Sequence, residues 1–338
     1  MKAIFLIRYG KARDAFKIRQ IEIPVPTGRQ VLIKVEAFGL NFADVMARKN
    51  LYKEAPPLPC ILGYEVVGTV TARGSAVNNV DVGHRVIAMT RFGGYAEYVL
   101  ADSITTVQIA KEVTVIAATA MATQYCTAYY AAAQMVNISK GDKVLVHSGA
   151  GGVGTAIIQY ARYRQCEIFS TAGTGEKIQY LNTLGVTHAI NYNTHDFENE
   201  IKNITEGKGV DVIFDAVGGL SVKKGFRSLA PGGRIVCYGA SAMTNKNIFG
   251  KAKAAFDFGL YHPLMFMMAS KAMIGINMLK IADSNPSLVR GCLEQVVKFT
   301  GEKIFSPGEG KVFFADEISV AHEFLEKRSS IGKIAVKW

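Results

Sequence analysis

Hydrophobic and polar residues alternate along much of the first hundred positions, with the period of two that is typical of strands burying one face. Residues 17–23 show this alternation, and Pro24 and Pro26 end it. Turn residues at 78–79 and 93–94 separate later apolar runs. The pattern predicts strands at 1–8, 17–23, 31–35, 66–71, 85–89 and 95–99. We therefore expect a β-rich, barrel-like first domain.

The pattern changes after residue 117, where a helical stretch of small residues runs to about 136. Beyond it, strands and helices are predicted to alternate, with helices at 176–184, 197–204 and 221–229 and strands at 188–191, 210–214, 234–238 and 272–278. Such alternation predicts an α/β fold with a doubly wound parallel sheet. A helix at 287–299 and a strand at 331–336 are expected to rejoin the first domain.

A glycine cluster stands between a short β-branched run at 143–146 and apolar residues at helical spacing. Gly149, Gly151 and Gly154 satisfy the pattern G-x-G-x-x-G, and the flanking elements predict a strand, a tight turn and a helix. The N–H groups at such a helix start hold the phosphates of a dinucleotide. The alternative is a glycine turn with a structural role alone.

The cofactor type is indicated by the end of the next strand, at 167–171, where an acidic residue would bind the ribose of NAD. No carboxylate stands at the strand's end; Gly173 follows, then Lys177, and Tyr192 ends the third strand. A cation and hydroxyl groups suit a 2′-phosphate. The sequence therefore predicts NADPH rather than NADH, although Lys177 is also compatible with a simple surface position.

Composition narrows the class of protein. The chain has 338 residues, 49% of them hydrophobic, which suits two globular domains. No apolar run reaches the ~18 residues that a bilayer span needs, and we expect a cytoplasmic protein without a membrane span. The net charge of +11 is dispersed, so nucleic-acid binding is not favoured. Five scattered cysteines indicate reduced thiols.

Further motifs follow one another in a fixed order. Asn41 and Asp44 lie within Gly-Leu-Asn-Phe-Ala-Asp at 39–44, Tyr52 follows, and Tyr64 lies within Gly-Tyr-Glu-Val-Val-Gly at 63–68. Asp-Val-Gly-His-Arg-Val stands at 81–86 and Gly-Tyr-Ala-Glu-Tyr at 94–98. In these motifs the chain resembles the medium-chain dehydrogenase/reductase superfamily. Its zinc-independent quinone oxidoreductase branch, the zeta-crystallin-like enzymes, is most similar, and within it the vesicle amine transport protein-like group.

The resemblance implies a GroES-like domain at 1–122 and 279–338 and an NADP-binding Rossmann domain at 123–278. It also implies that no metal is bound. Zinc-dependent relatives have a cysteine where this chain has Asn41 and a histidine where it has Tyr64, and neither an amide nor a neutral phenol replaces those ligands well. The cysteines of a second, structural zinc lobe are also absent from residues 100–110.

The activity implied by the resemblance is hydride transfer from NADPH to quinones or related conjugated carbonyl compounds, whose charge a few hydrogen-bond donors can stabilise. Asn41 is expected to contact the nicotinamide ribose or the acceptor carbonyl, and Asp44 to orient its neighbours or to cap a helix. Tyr52 and Tyr64 are candidates for binding the oxyanion or supplying a proton, or are simply packed. Thr127 is expected near the carboxamide, unless its hydroxyl bonds its own helix.

The same cofactor is expected to contact a set of residues at the carboxyl ends of the parallel strands. The set comprises Gly149, Gly151, Gly152, Val153, Gly154, Gly173, Lys177, Tyr192, Asp215, Gly218, Gly239 and Ser241. The resemblance further implies a homodimer that pairs its last nucleotide-domain strand, near 274–278.

Two questions stay open at the level of sequence. The apolar segment 256–268 is either a pocket wall or structural packing at an interface. The activity has rivals in an enone, alkenal or enoyl-thioester reductase, in a non-catalytic NADPH-binding protein and in a zinc alcohol dehydrogenase.

Overall fold

The protein is described by a computed structural model that covers residues 1–244, 250, 253 and 256–338. The chain divides into two compact units, Met1–Cys126 with Met278–Trp338, and Thr127–Asn277. The sequence predicts these divisions at 122/123 and 278/279. The predicted α/β fold class is confirmed.

The first part of the chain is mainly β structure, as its alternating pattern predicts. Its strands are β1 Lys2–Leu6, β2 Phe16–Gln20, β3 Gln30–Leu40, β4 Cys60–Ile61, β5 Glu65–Arg73, β6 Arg85–Met89, β7 Tyr98–Asp102 and β8 Thr106–Gln108. Two short helices interrupt them, α1 Ala12–Ala15 and α2 Phe42–Arg48. A single 3-10 turn, Ser103–Thr105, joins β7 to β8.

The predicted helix at 117–136 is present but is not a uniform α-helix. It consists of α3 Val115–Ala120, a π-helical segment Met121–Tyr125, α4 Cys126–Tyr129 and a second π-helical segment Tyr130–Met135. Wider π turns occur in proteins mostly as brief bulges, frequently at functional sites. The division between the two units falls inside this run.

The second unit has the alternation that the sequence predicts. Its strands are β9 Lys143–Val146, β10 Glu167–Ala172, β11 His188–Asn191, β12 Val210–Asp215, β13 Leu229–Cys237 and β14 Ala272–Gly275. Its helices include α5 Gly152–Tyr163, α6 Gly175–Thr183, α7 Phe197–Ile204, α8 Leu220–Ser228 and α9 Pro263–Ala269, with a 3-10 turn at Ser241–Met243. The six strands form one sheet in the order β11-β10-β9-β12-β13-β14, with every pair parallel.

The last part of the chain returns to the first unit, as expected. It contains α10 Met278–Ser284, α11 Pro286–Gly301, β15 Gly310–Phe314, a 3-10 turn Ala315–Glu317, α12 Ile318–Glu326 and β16 Lys333–Lys337. β16 pairs antiparallel with β3 in a seven-stranded sheet that also contains β15, β5, β6, β8 and β7. β3 therefore pairs with β16 from the last part of the chain as well as with β5 and β7.

Most predicted strands have somewhat different bounds in the structure, and three of them show how. β2 ends at Gln20 rather than 23, and β14 ends at Gly275 because Met278 begins a helix. The strand predicted at 95–99 is displaced to Tyr98–Asp102. Residues 95–97 instead reach across to β1, since Ile4 N–H donates to the Tyr95 carbonyl at 2.8 Å.

Each unit has its own apolar core. That of the first contains Phe38, Val66 and Tyr95, with the Phe38 and Tyr95 rings stacked at 4.5 Å. That of the second includes Leu145 and Phe169 from the middle of the parallel sheet. Among the residues that the structure covers, no helix combines the length and apolarity that crossing a membrane requires.

Candidate functional site

The glycine cluster lies where the sequence predicts it, between the end of β9 and the start of α5. A Cβ atom on Gly154 would lie 2.5 Å from the Ser148 carbonyl oxygen and 2.8 Å from the Cα of Gly149. One on Gly149 would meet the Ser170 hydroxyl and lie 2.8 Å from a Leu181 methyl group. These two glycines are therefore required by packing of the loop itself.

Gly151 differs from the other two glycines. A Cβ atom there would have one close neighbour, the Ser148 carbonyl oxygen at 3.2 Å, and the backbone φ of −81° suits any residue. Nothing within the described residues therefore demands glycine at 151, whereas close approach of a ligand to the backbone would demand it. Gly151 is also the N-cap of the twelve-residue helix α5, whose first turn contains Gly152, Val153 and Gly154. The first N–H groups of a helix have no intrahelical acceptors and favour anions.

The neighbouring loop after β10 is shaped by a contact between Gly173 and Tyr192. A Cβ atom on Gly173 would lie 2.6 Å from Tyr192 Cζ, so the phenol ring packs on bare backbone. The Asn193 side chain also donates to the Gly173 carbonyl at 2.6 Å, a contact that sequence reasoning missed. Thr174 caps α6 by accepting the Lys177 N–H at 3.3 Å, which places Lys177 in the first turn.

The first turn of α6 contains a carboxylate that the sequence argument did not weigh. Glu176 is exposed and directly precedes Lys177. β10 itself ends at Ala172, followed by glycine and threonine, so the end of the strand has no acidic residue. A negative side chain at a helix N-terminus complements the helix dipole.

Asp215 ends β12 at the expected edge of the sheet, but its carboxylate is directed into its own loop. Oδ1 accepts the N–H groups of Val217 and Gly218, each at 2.7 Å, and the Ser221 hydroxyl contacts Oδ2. Asp215 is fully buried. In this structure the side chain fixes the turn in which Gly218 has a φ of 78°.

The next loop is closely packed against that turn. A Cβ atom on Gly239 would lie 2.6 Å from the Ala216 carbonyl oxygen, and the Ser241 N–H donates to the same oxygen at 3.3 Å. Phe258, from the apolar segment, covers Gly218, where a Cβ atom would lie 2.5 Å from the ring. Gly218, Gly239 and Ser241 are thus brought together at one edge of the sheet.

The apolar segment 256–268 has two faces. Tyr261 and Phe266 pack edge-on against Phe226, with ring centroids at 5.1 and 5.5 Å. Exposed residues form the other face, namely Phe256, Leu260, Leu264, Met265, Met267 and Met268. The packing interpretation therefore holds for part of the segment.

In the first unit, Asn41 and Asp44 begin helix α2. Asp44 Oδ2 accepts the Asn41 N–H at 2.8 Å, which is the helix-capping role left open by the sequence. Asp44 is fully buried, and this burial raises the pKa of its carboxyl from 3.8 to about 7. The nearby Glu65 carboxylate adds to the rise, while the Asn41 N–H opposes it. Asp44 is thus a buried carboxyl that takes up a proton near neutral pH.

The Asn41 side chain has two polar partners that sequence reasoning missed. Its Nδ2 donates to Glu65 Oε1 at 2.8 Å, and its Oδ1 accepts from the Lys333 ammonium at 3.1 Å. Lys333 and Glu65 also form an ion pair buried from solvent. Glu65 directly follows Tyr64 in a quoted motif and could have been suspected, but Lys333 is 292 residues from Asn41 in the chain.

Tyr52 and Tyr64 lie together, with their rings edge-on at 6.0 Å. Burial, helped by the charge of Asp44, raises the pKa of Tyr64 well above its ordinary value. Burial likewise raises the pKa of Tyr52 to about 12, so both phenols are neutral donors at physiological pH. The Tyr64 hydroxyl is buried and has no hydrogen-bond partner among the described residues.

Thr127 lies in α4 at the start of the second unit and is buried. A contact between Thr127 and the cofactor remains a prediction from the resemblance.

The donor set around Asn41 does not suit a zinc ion. The Asn41 amide is already bonded to a carboxylate and to an ammonium group, and that ammonium is itself a cation within the cluster. Tyr64 would have to lose its proton to bind a metal, which its raised pKa opposes. No group of three or more His, Cys, Asp or Glu side chains that could hold a metal lies within the described residues.

Two family profiles match the chain. The profile described as alcohol dehydrogenase GroES-like domain matches residues 27–129, and the one described as zinc-binding dehydrogenase matches residues 152–290. Among curated proteins, the human synaptic vesicle membrane protein VAT-1 homolog is 34% identical over 315 residues, which cover 92% of this chain and 79% of that protein.

Solved structures share the fold over its full length. A mycobacterial protein complexed with NADPH is similar with a TM-score of 0.88 and 26% identity, covering 100% of both chains. A quinone oxidoreductase of Pseudomonas syringae is similar with a TM-score of 0.86 and 25% identity, covering 100% of this chain and 99% of that one. The CurK enoyl reductase has a TM-score of 0.86 and 25% identity, covering 99% of each chain.

Proposed function

Because this chain belongs to the medium-chain dehydrogenase/reductase superfamily, in its zinc-independent, VAT-1-like group, we propose that it is an NADPH-dependent oxidoreductase. The observation that carries the proposal is the loop between β9 and α5. There a Cβ atom on Gly151 would meet one close neighbour, the Ser148 carbonyl oxygen at 3.2 Å, beside the N-terminus of a twelve-residue helix, and this bare backbone suits the approach of a pyrophosphate. The similar mycobacterial structure contains NADPH, which supports the same cofactor here.

NADPH is favoured over NADH by the loop after β10. We propose that Lys177 and Tyr192 bind the 2′-phosphate, since both follow strands at the same edge of the sheet and no acidic residue ends β10. Gly173 allows the Tyr192 ring to lie directly over this loop. Gly149, Gly152, Val153, Gly154, Thr127, Asp215, Gly218, Gly239 and Ser241 are proposed to complete the cofactor site through backbone or hydroxyl contacts.

We propose that the substrates are quinones or related conjugated carbonyl compounds. When bound, the cofactor supplies the hydride. In the first unit, neutral Tyr52 and Tyr64 are proposed to donate hydrogen bonds to the acceptor oxygen, where negative charge develops. Asn41 is proposed to contribute its amide in the same way, and Asp44 to hold a proton beside them. Acceptors that delocalise charge need no stronger electrophile than these donors.

The proposal is tested by mixing the purified protein with NADPH and following cofactor absorbance during addition of ortho-quinones, enones or acyl-thioesters at equal concentrations. We expect quinones to be reduced fastest. Preferential reduction of acyl-thioesters would instead place the protein with enoyl reductases, a possibility that the likeness to CurK supports. Tight NADPH binding without turnover of any acceptor would indicate a non-catalytic member.

We further propose that the protein forms a homodimer through β14. Among the described strands, β14 lies at the edge of the parallel sheet and pairs with β13 alone. An uncovered strand edge invites pairing with a second copy. Analytical ultracentrifugation tests this directly, and Ile274→Pro should yield monomers.

A further inference from the structure

The Lys333 ammonium group is enclosed by oxygen atoms of the first unit. It donates to the Leu40 carbonyl at 3.2 Å and to Asn41 Oδ1 at 3.1 Å, and it contacts Glu65 Oε1. The Lys333 and Glu65 side chains are 1% and 0% exposed. An ammonium group has three hydrogens, and three oxygens surround this one. Lys333 is therefore occupied within the protein and does not itself present a donor to a substrate.

The same contacts determine the orientation of the Asn41 amide. An ammonium group donates hydrogen bonds and an ionised carboxylate accepts them, so Asn41 Oδ1 must face Lys333 and Nδ2 must face Glu65. A flipped amide would put its NH2 group against the ammonium and its oxygen against the carboxylate. The ion pair therefore permits one amide orientation, in which Glu65 Oε1 binds one of the two Nδ2 hydrogens.

Gly39 provides the space for this arrangement. A Cβ atom at residue 39 would lie 2.5 Å from Lys333 Cε and 2.6 Å from its Nζ. β3 and β16, which carry Gly39 and Lys333, are paired antiparallel, and Leu40 is aligned with Ile334. The lysine side chain thus passes over a bare position of the neighbouring strand to reach Asn41.

We propose that Lys333 and Glu65 are positioning residues that hold Asn41 in its active orientation. This inference rests on the proposed function, in which Asn41 contacts the reacting molecules. A buried ion pair is in general weak evidence for stability, because desolvation offsets much of the attraction. Orientation of an amide that can otherwise flip is a role which apolar residues of similar volume would not perform.

The test removes both charges together, because either single variant would leave a buried charge without its partner. The double variant Glu65→Leu/Lys333→Met is compared with Asn41→Ala and with the triple variant, for kcat and KM in NADPH-dependent quinone reduction. We expect the double variant to lose about 10- to 100-fold in kcat, as displaced reacting groups do. The triple variant should lose no more than Asn41→Ala alone. The proposal would be overturned if the loss of kcat in the triple variant equalled the product of the losses in the double variant and in Asn41→Ala. Full kcat in the double variant would overturn it as well.

A second measurement does not depend on turnover. The side-chain NH2 resonances of Asn41 are assigned as those that disappear from the nitrogen–proton spectrum in Asn41→Ala. We expect them to be protected from hydrogen exchange in the wild type and unprotected in the double variant. Unchanged protection would refute the positioning role even if no acceptor were ever reduced, whereas failure of quinone reduction alone would refute only the proposed substrate.

The matched control is Glu302→Leu/Lys298→Met, which removes an exposed ion pair at the C-terminal end of α11 in the same unit. It makes the same change in charge at the surface and should preserve kcat and the Asn41 signals. Lys333→Arg retains a cation and should keep more activity than the double variant. A melting curve of each variant establishes that the native fold is present during the comparison.

Discussion

Tyr192 lies so close to Gly173 that a Cβ atom on the glycine would be 2.6 Å from the ring carbon Cζ. The two residues follow adjacent parallel strands, β10 and β11, and the Tyr192 N–H also donates to the Ala172 carbonyl at 3.0 Å. A side chain at 173 would therefore displace the ring that we propose as one wall of the 2′-phosphate site. About half of the Tyr192 surface remains exposed and available for a ligand.

Lys177→Ala should separate the two nicotinamide cofactors. A hydrogen bond to a charged group contributes about 1.5–3 kcal/mol, so loss of the lysine should weaken NADPH binding roughly 10- to 100-fold. NADH lacks the 2′-phosphate and should bind nearly as before. Fluorescence titration of both cofactors measures the difference, with Lys202→Ala on α7 as a control for charge. Equal losses for NADPH and NADH would remove Lys177 from the phosphate site.

Alanine at Gly151 and at Gly154 should have different effects. A Cβ atom at Gly151 would make one tight contact, 3.2 Å from the Ser148 carbonyl oxygen, and the backbone φ is ordinary, so Gly151→Ala should cost about 1 kcal/mol of stability or less. It should nevertheless weaken NADPH and NADH alike, because both contain the pyrophosphate. Gly154→Ala pushes a methyl group against the Ser148 carbonyl and should destabilise the protein by about 1–3 kcal/mol. Urea unfolding and cofactor titration of both variants distinguish these roles, and normal cofactor binding by Gly151→Ala would contradict the proposed site.

Tyr64→Phe should reduce activity without reducing stability. Its hydroxyl is buried with no partner among the described residues, so removal should leave stability unchanged or raise it by about 1 kcal/mol. If the phenol donates to the acceptor oxygen, kcat/KM for quinone should fall about 100-fold. Tyr261→Phe, in the second unit, removes another buried hydroxyl with no partner in the described part of the chain, and serves as the control. A fully active Tyr64→Phe protein would assign Tyr64 to packing.

Asp44→Asn should change how stability depends on pH. Burial raises the pKa of Asp44 to about 7 in the native protein, against about 4 when unfolded, so between these values the native state holds a proton that the unfolded state has released. The stability due to that proton is present below pH 4 and is lost as the pH rises towards 7. The asparagine variant has no such loss, since its amide does not titrate.

The stability of Asp44→Asn relative to wild type should therefore increase between pH 4 and 7, by about 4 kcal/mol at most, and then stay level. Glu65, Lys333 and Tyr95 face the same carboxyl and are unchanged in this variant. Urea unfolding at a series of pH values measures this difference in the free energy of unfolding. Asp14→Asn, at an exposed position, is the control. A stability difference that does not vary with pH would show that burial does not raise the pKa of Asp44.

The second unit was the more predictable part of the fold. Its strands are near-continuous apolar runs, and the helices between them show their own period, so strand 188–191 and helix 197–204 have the predicted bounds. Short elements with weak patterns were missed, among them β15 and helix α12. The sequence predicts residues 95–97 as part of a strand because alternation does not reveal which partner an extended segment pairs with.

The residues of the candidate site likewise differ in how far the sequence predicts them. Gly149 and Gly154 could be found from sequence because backbone packing in a tight turn demands glycine. The partnership of Lys333 with Asn41 could not, because a lysine in a final strand predicts an exposed side chain and nothing local indicates burial. The sequence correctly predicts Asp215 at the carboxyl end of its strand. That its carboxylate accepts the Val217 and Gly218 N–H groups depends on a turn that only the structure shows.

The pairing of β16 with β3 has a consequence for biosynthesis. Thr127–Asn277 is an uninterrupted stretch, and all of it has been translated before residue 278 is added. Lys333 is added after this stretch, and until then β3 lacks β16 and Asn41 lacks its ammonium partner. The unit Thr127–Asn277 can therefore fold while the other unit still lacks β16.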